Sequence, residues 1–165
     1  MTHPPFNILF LCTGNSARSI LAEGLANHLS AGRLRAYSAG SQPMGRVNPL
    51  ALDTLRELGC ATEGMSSKSW DVFATPDAPA MDFVVTVCDS AAGEACPYWP
   101  GAPVTAHWGF ADPSHVEGDD ATRRAAFAKT AQDIAHRLRL FLSLPLDKLD
   151  RMSLQHEVRA IGTGA

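Results

Sequence analysis

The stretch "NILFLCTGNSARSILAEGLANHL", Asn7 to Leu29, decides the fold class. "NILFL", Asn7 to Leu11, is a short apolar run that reads as a buried strand. Leu21, Leu25 and Leu29 recur at helical spacing, so the residues from Ile20 to Leu29 read as a helix with one apolar face. Between the two lies a tight polar loop, Cys12 to Ser19. A loop feeding a helix N-terminus turns several backbone N–H groups into one concavity, where the helix dipole adds partial positive charge. Gly14, Ser16 and Ala17 are small enough for the backbone to wrap a tetrahedral oxyanion, and the planar fork of Arg18 can hold two of its oxygens. Thr13, Gly14, Asn15, Ser16, Ala17, Arg18 and Ser19 are therefore the expected oxyanion cradle. The same field favours thiolate over thiol, which predicts a depressed pKa and a nucleophilic sulfur for Cys12.

Outward from this unit the chain keeps alternating. "RLRAYSAG", Arg33 to Gly40, reads as a second strand ending in a turn. Asn48 and Pro49 cap the helix "PLALDTLREL", which Gly59 ends. "MDFVVTVC", Met81 to Cys88, is a continuous buried strand, and "APVTAHWG" a fourth, weaker one. A long helix starts near Asp120, with Phe127, Ile134, Leu138 and Phe141 on one face. The pattern predicts an α/β fold: one doubly wound, flavodoxin-like sheet of four parallel strands with helices on both faces. Ligands of such sheets bind beyond the carboxyl ends of the strands, where Cys12, Cys88 and the segment after Trp108 all emerge. Residues 1–142 are read as the domain. Residues 143–165 are read as an amphipathic tail packed on that domain or on a second subunit.

The chain has 165 residues, enough for one sizeable core, and a net charge of −3. Weak acidity without a basic block gives no reason to expect nucleic acid or an anionic membrane as partner. No apolar run approaches the ~20 residues that span a bilayer, and the first residues lack the pattern of a signal peptide. The expected location is the cytoplasm, where four cysteines stand as thiols with catalytic, redox or metal roles open to them.

The C-x5-R loop in this setting resembles that of the low-molecular-weight protein tyrosine phosphatase superfamily. The resemblance implies that Asn15 and Ser19 organise the loop and its thiolate. It also implies that Asp112, in "ADP" (Ala111 to Pro113), is the general acid that protonates the leaving oxygen. By itself Asp-Pro is only a turn signal. The segment "VVTVCDSAAGEACPYWPG", Val84 to Gly101, adds Cys88 and Cys96, which a phosphatase does not need. With "AHWGFADP" it resembles the phosphatase-like arsenate reductases. That resemblance implies arsenate or phosphate as the bound oxyanion and a relay of disulfides, Cys12 to Cys88 and then Cys88 to Cys96. Thioredoxin or glutathione with glutaredoxin is the implied electron donor. The alternative is a protein-tyrosine or small-molecule phosphatase working through a phosphocysteine. Against phosphotyrosine, Ser114 and His115 stand where that family carries tyrosines. Zinc on Cys88, Cys96 and His107 lacks a fourth ligand and a C-x2-C spacing. Some family members hold potassium with an Asn, a Glu, a Ser and an Asp. Here Asn15, Glu23 and Ser38 match, while Lys68 stands in place of the Asp, so an ammonium is expected where the ion would be. No metal and no cofactor are expected.

Overall fold

The computed structural model describes residues 3–88, 99 and 101–163. Strands β1 (Phe6–Leu11), β2 (Leu34–Ala39), β3 (Phe83–Thr86) and β4 (Val104–His107) form one parallel sheet in the order β2-β1-β3-β4. The fold class read from the sequence is the one observed. β1 sits between its neighbours, with Leu11 paired to Ala39 of β2 on one side and to Thr86 of β3 on the other. The chain leaves β1 for β2 in one direction and reaches β3 in the other, so the β1/β3 boundary is the topological switch point. Cys12 and Cys88 follow those two strands.

Helices α1 (Arg18–Leu29), α2 (Pro49–Glu57), α3 (Asp120–Leu142) and α4 (Arg151–Gly162) complete the described elements, with short 3-10 turns at Trp70–Phe73 and Pro113–His115. α1 carries Ile20, Leu21, Ala22, Leu25 and Ala26 as buried residues around much of its girth, because it is wedged between the sheet, α2 and α3. α2 begins as its sequence dictates. The Asn48 side chain accepts the Leu50 N–H at 2.9 Å, Pro49 occupies the first turn, and Gly59 leaves in the left-handed region at φ 82°.

The main core lies between the sheet and α1, α2 and α3. Phe10, Phe83, Trp108, Phe127 and Phe141 are all fully buried in it. On the opposite face Leu9, Leu11 and Val84 pack with Phe73, Met81 and Trp99. β4 is an edge strand, and α4 lies along it. The Arg159 Nε–H donates to the Thr105 carbonyl at 3.0 Å, and the Trp108 indole N–H donates to the Val158 carbonyl at 2.9 Å. Strand edges left open invite pairing with other chains, and α4 closes this one. Among the described residues no helix is long and apolar enough to cross a membrane.

Candidate active site

The loop after β1 is shaped by where its carbonyls go. The Thr13 carbonyl accepts the Gln42 N–H at 2.9 Å, that of Gly14 accepts the Met44 N–H at 2.9 Å, and that of Ser16 accepts the Asn48 N–H at 3.0 Å. With these oxygens tied outward to the segment 42–48, the N–H groups of the loop are left to line its inner side. Asn15 holds the bend. It sits at φ 45°, is fully buried, donates from Nδ2 to Ser19 Oγ at 2.9 Å, and accepts the Lys68 N–H on Oδ1 at 2.9 Å. α1 then starts at Ala17 with no side-chain cap and no acidic residue in its first turn. The loop and the orphan donors of that helix end face one cavity of about 510 Å³, lined by residues 12–18 together with Met44, Asn48, Asp112, Ser114 and His115.

Gly40 is part of this site and went unnoticed in the sequence, where it reads as an ordinary turn residue. A Cβ at position 40 would lie 2.4 Å from the Thr13 carbonyl oxygen, 2.6 Å from that of Cys12 and 3.0 Å from the Asn15 nitrogen. The end of β2 therefore packs backbone against backbone on the loop, a contact open only to glycine. Gly40→Ala is expected to cost about 1–3 kcal/mol of stability through overpacking. Because the loop must move, turnover should also fall on the order of 100-fold. Thermal melting with and without phosphate, beside steady-state kinetics, checks both. Unchanged turnover would mean that the loop absorbs the methyl group harmlessly.

Cys12 lines the cavity, and its thiol is hydrogen-bonded to that of the buried Cys88. The expectation of a depressed Cys12 pKa is corrected by this contact. The hydrogen bond to Cys88, first, and burial, second, push the Cys12 thiol up. Arg18 and the Gly14 N–H pull it down, but not enough to reverse the direction. Cys88 Sγ itself accepts the Thr13 N–H at 3.3 Å. Two sulfurs in contact do not readily both ionise, so the field of the loop favours one negative charge on the pair and opposes two.

Arg18 and Asp112 are brought together. Arg18 Nη2 lies 3.3 Å from Asp112 Oδ2, and Nη1 donates to the Phe110 carbonyl at 3.0 Å. A guanidinium carries five N–H donors, so three remain for an oxyanion. Asp112 caps the short turn that follows it, accepting both the N–H and the hydroxyl of Ser114 on Oδ1. Burial by itself would raise its pKa, but Ser114, Arg18 and His115 together hold the carboxyl below the usual range.

Behind the loop, Lys68 Nζ donates to the carbonyls of Ser38 at 3.0 Å and Ser66 at 2.7 Å. Glu23, half-buried beside it, accepts the Ser38 hydroxyl at 2.6 Å. Its carboxyl is pushed up by burial, against the pull of Ser38 and Lys68. An ammonium thus occupies a cage of carbonyl oxygens next to a carboxylate, and the backbone N–H of the same lysine holds Asn15. Cys96 lies outside the described residues. Thr86 Oγ1 and His107 Nδ1 are 2.7 Å apart, and Trp108 is fully buried. No Phe, Tyr or Trp is among the described residues that line the cavity.

Comparison with known proteins agrees with this geometry. The family model described as low molecular weight phosphotyrosine protein phosphatase matches residues 7–159. An arsenate reductase of Bacillus subtilis is 37% identical over 134 residues, covering 81% of this chain and 93% of the relative. One from Halalkalibacterium halodurans is 38% identical over the same extent. Among solved structures, a thioredoxin-dependent arsenate reductase of Corynebacterium glutamicum superposes with a TM-score of 0.63 at 29% identity, over 90% of this chain and 66% of that one. With the loop, the fold and these matches in agreement, the chain belongs to the low molecular weight phosphotyrosine protein phosphatase family.

Proposed function

We propose that this protein reduces arsenate to arsenite with its own thiols, in the cytoplasm, and takes the electrons back from a dithiol donor such as thioredoxin. The observation that carries the reading is the sulfur-to-sulfur contact of Cys12 and Cys88 beneath an oxyanion-shaped loop. The names of the relatives support it.

The chemistry runs as follows. The loop N–H groups and Arg18 hold the arsenate oxygens, and the Cys12 thiolate attacks arsenic. Asp112 gives a proton to the departing oxygen, which leaves as water, so that Cys12 is bonded to As(V). Asp112 can hold that proton at neutral pH only when the bound dianion lies beside it and competes for Arg18. Both effects raise a carboxyl pKa that is otherwise depressed. Cys88 then attacks Cys12 Sγ. A Cys12–Cys88 disulfide forms, the S–As bond breaks with its electron pair on arsenic, and arsenite leaves as As(III). Two thiols have been oxidised and arsenic has gained two electrons. Attack of Cys96 on Cys88 would move the disulfide to the 88–96 segment, and an external dithiol would reduce it. Phosphate fits the same cradle, so slow hydrolysis of aryl phosphates through a phosphocysteine is part of this reading.

The test is arsenate-dependent NADPH consumption by the purified protein, run with thioredoxin and thioredoxin reductase and, separately, with glutathione and glutaredoxin. Turnover with the first pair is expected. Hydrolysis of aryl phosphate without arsenate turnover in either system would make the protein a phosphatase.

A further inference from the structure

The family match ends at residue 159, within the last turn of α4, and that turn is joined to the segment that carries Asp112. Three contacts make the join. Gly162 comes so close to β4 that a Cβ on it would lie 2.0 Å from the His107 carbonyl oxygen and 2.9 Å from Trp108 Cδ1. The Trp108 indole N–H donates to the Val158 carbonyl in a fully buried setting. Arg137, on α3, donates from Nη1 to the Ile161 carbonyl at 2.8 Å, at the negative end of the α4 dipole. The same guanidinium lies over the Phe110 ring, 5.6 Å from its centroid. Phe110 in turn gives its carbonyl to Arg18 and stands two residues before Asp112.

We infer that α4 is a brace for the acid-bearing segment, and that Arg137 is a positioning residue that sets Phe110 and, through its carbonyl, the orientation of Arg18 toward the oxyanion. Arg137 touches no reacting atom in this scheme. It acts because, among the described residues, the backbone of segment 108–112 is tied to the sheet by two hydrogen bonds. The Trp108 N–H bonds the Thr86 carbonyl at 2.8 Å and the Phe110 N–H bonds the Val87 carbonyl at 3.2 Å, so both run to the end of β3 and the residue just after it. The Phe110 ring and the end of β4 are held from the other side by Arg137, Val158 and Gly162. A segment pinned on one side can swing, and pinning it on both sides holds the Phe110 carbonyl at Arg18.

The inference rests on the reading of residues 12–18 as an oxyanion loop, and the experiment separates the two. Phosphate affinity is measured by calorimetry, with melting temperature and the kcat and KM for arsenate alongside. The proteins are the wild type, Arg137→Met, Arg137→Lys and Gly162→Ala, together with Leu34→Ala as a control that removes core volume at the opposite end of the sheet. Arg137→Met keeps an unbranched apolar stem but loses both the donor to Ile161 and the guanidinium over Phe110. It should weaken phosphate binding about fivefold, the loss expected when one hydrogen bond no longer orients Arg18. Arg137→Lys should return affinity to within about twofold of wild type. Gly162→Ala, acting from the other end of the same join, should weaken binding in the same direction. Wild-type affinity in Arg137→Met would overturn the inference, as would an equal loss in Leu34→Ala. A wild-type protein that binds phosphate but turns over no arsenate would sink the reductase reading and leave the brace to be judged on affinity alone. One that binds no phosphate would sink the loop reading and the brace with it.

Discussion

Replacing Cys12 by serine is expected to abolish arsenate reduction and aryl phosphate hydrolysis together, each on the order of 10⁴-fold, the usual consequence of losing a catalytic nucleophile. The hydroxyl is nearly isosteric and can still accept the Gly14 N–H that now reaches the sulfur. It does not ionise in this field, however, and forms no bond to arsenic or phosphorus at a useful rate. Loop geometry is governed by the outward carbonyl bonds of Thr13, Gly14 and Ser16, none of which involves the Cys12 side chain. Phosphate affinity should therefore stay within about threefold of wild type, because the donors that bind it are backbone and Arg18. Calorimetry beside the two activity assays separates these effects. Loss of affinity together with activity would mean that the sulfur shapes the loop, and the variant would then say nothing about chemistry.

Replacing Cys88 by serine should divide the two activities. Reduction is expected to fall by a comparable factor, on the order of 10³-fold or more, because no second sulfur remains to take Cys12 from arsenic. Hydrolysis needs only water at that step and should survive. The variant also tests the corrected ionisation of Cys12. The hydrogen bond to Cys88 is the largest influence pushing that thiol up, ahead of burial, while Arg18 and the Gly14 N–H pull it down. A serine hydroxyl at position 88 can donate to the Cys12 thiolate instead of drawing its proton. The alkylation midpoint of Cys12 against pH should thus move down in the variant. Iodoacetamide labelling followed by mass spectrometry reads it directly. An upward move, or none, would show that the sulfur pair does not share its proton as described.

The β1–loop–α1 unit was legible because its determinants are local. An apolar run, a C-x5-R loop and leucines four apart all lie within the stretch from Asn7 to Leu29. The cap of α2 was legible for the same reason, since Asn48 bonds only two residues ahead. Gly40 was not legible. Its need for glycine arises from carbonyls more than twenty residues away, across a parallel strand pair, and a one-dimensional pattern carries no sign of that approach. The ionisation of Cys12 was misjudged for a related reason. The helix end, the loop N–H groups and Arg18 are all readable from the loop, but the opposing sulfur arrives from β3, and its contact depends on the pairing of Leu11 with Thr86. Lys68 stands between these cases. Its charge beside Glu23 could be anticipated, whereas the cage of Ser38 and Ser66 carbonyls needed the fold. In α4 the sequence offers an amphipathic helix, but not the Arg137 bond that joins its last turn to α3.

The touching thiols just beyond two adjacent strands also form a two-toothed clamp for thiophilic elements. On the proposed reading trivalent arsenic, the product, is just such an element, so a reduced site would grip the very species it makes. Closing the Cys12–Cys88 disulfide disarms the clamp in the same stroke that creates the product. Expulsion is then built into the redox step, and arsenite inhibits only the reduced form, whether before turnover or after the dithiol donor has restored it. Organic arsenoxides, which demand a pair of neighbouring thiols, would accordingly act as selective poisons of the reduced form and pass the oxidised form by.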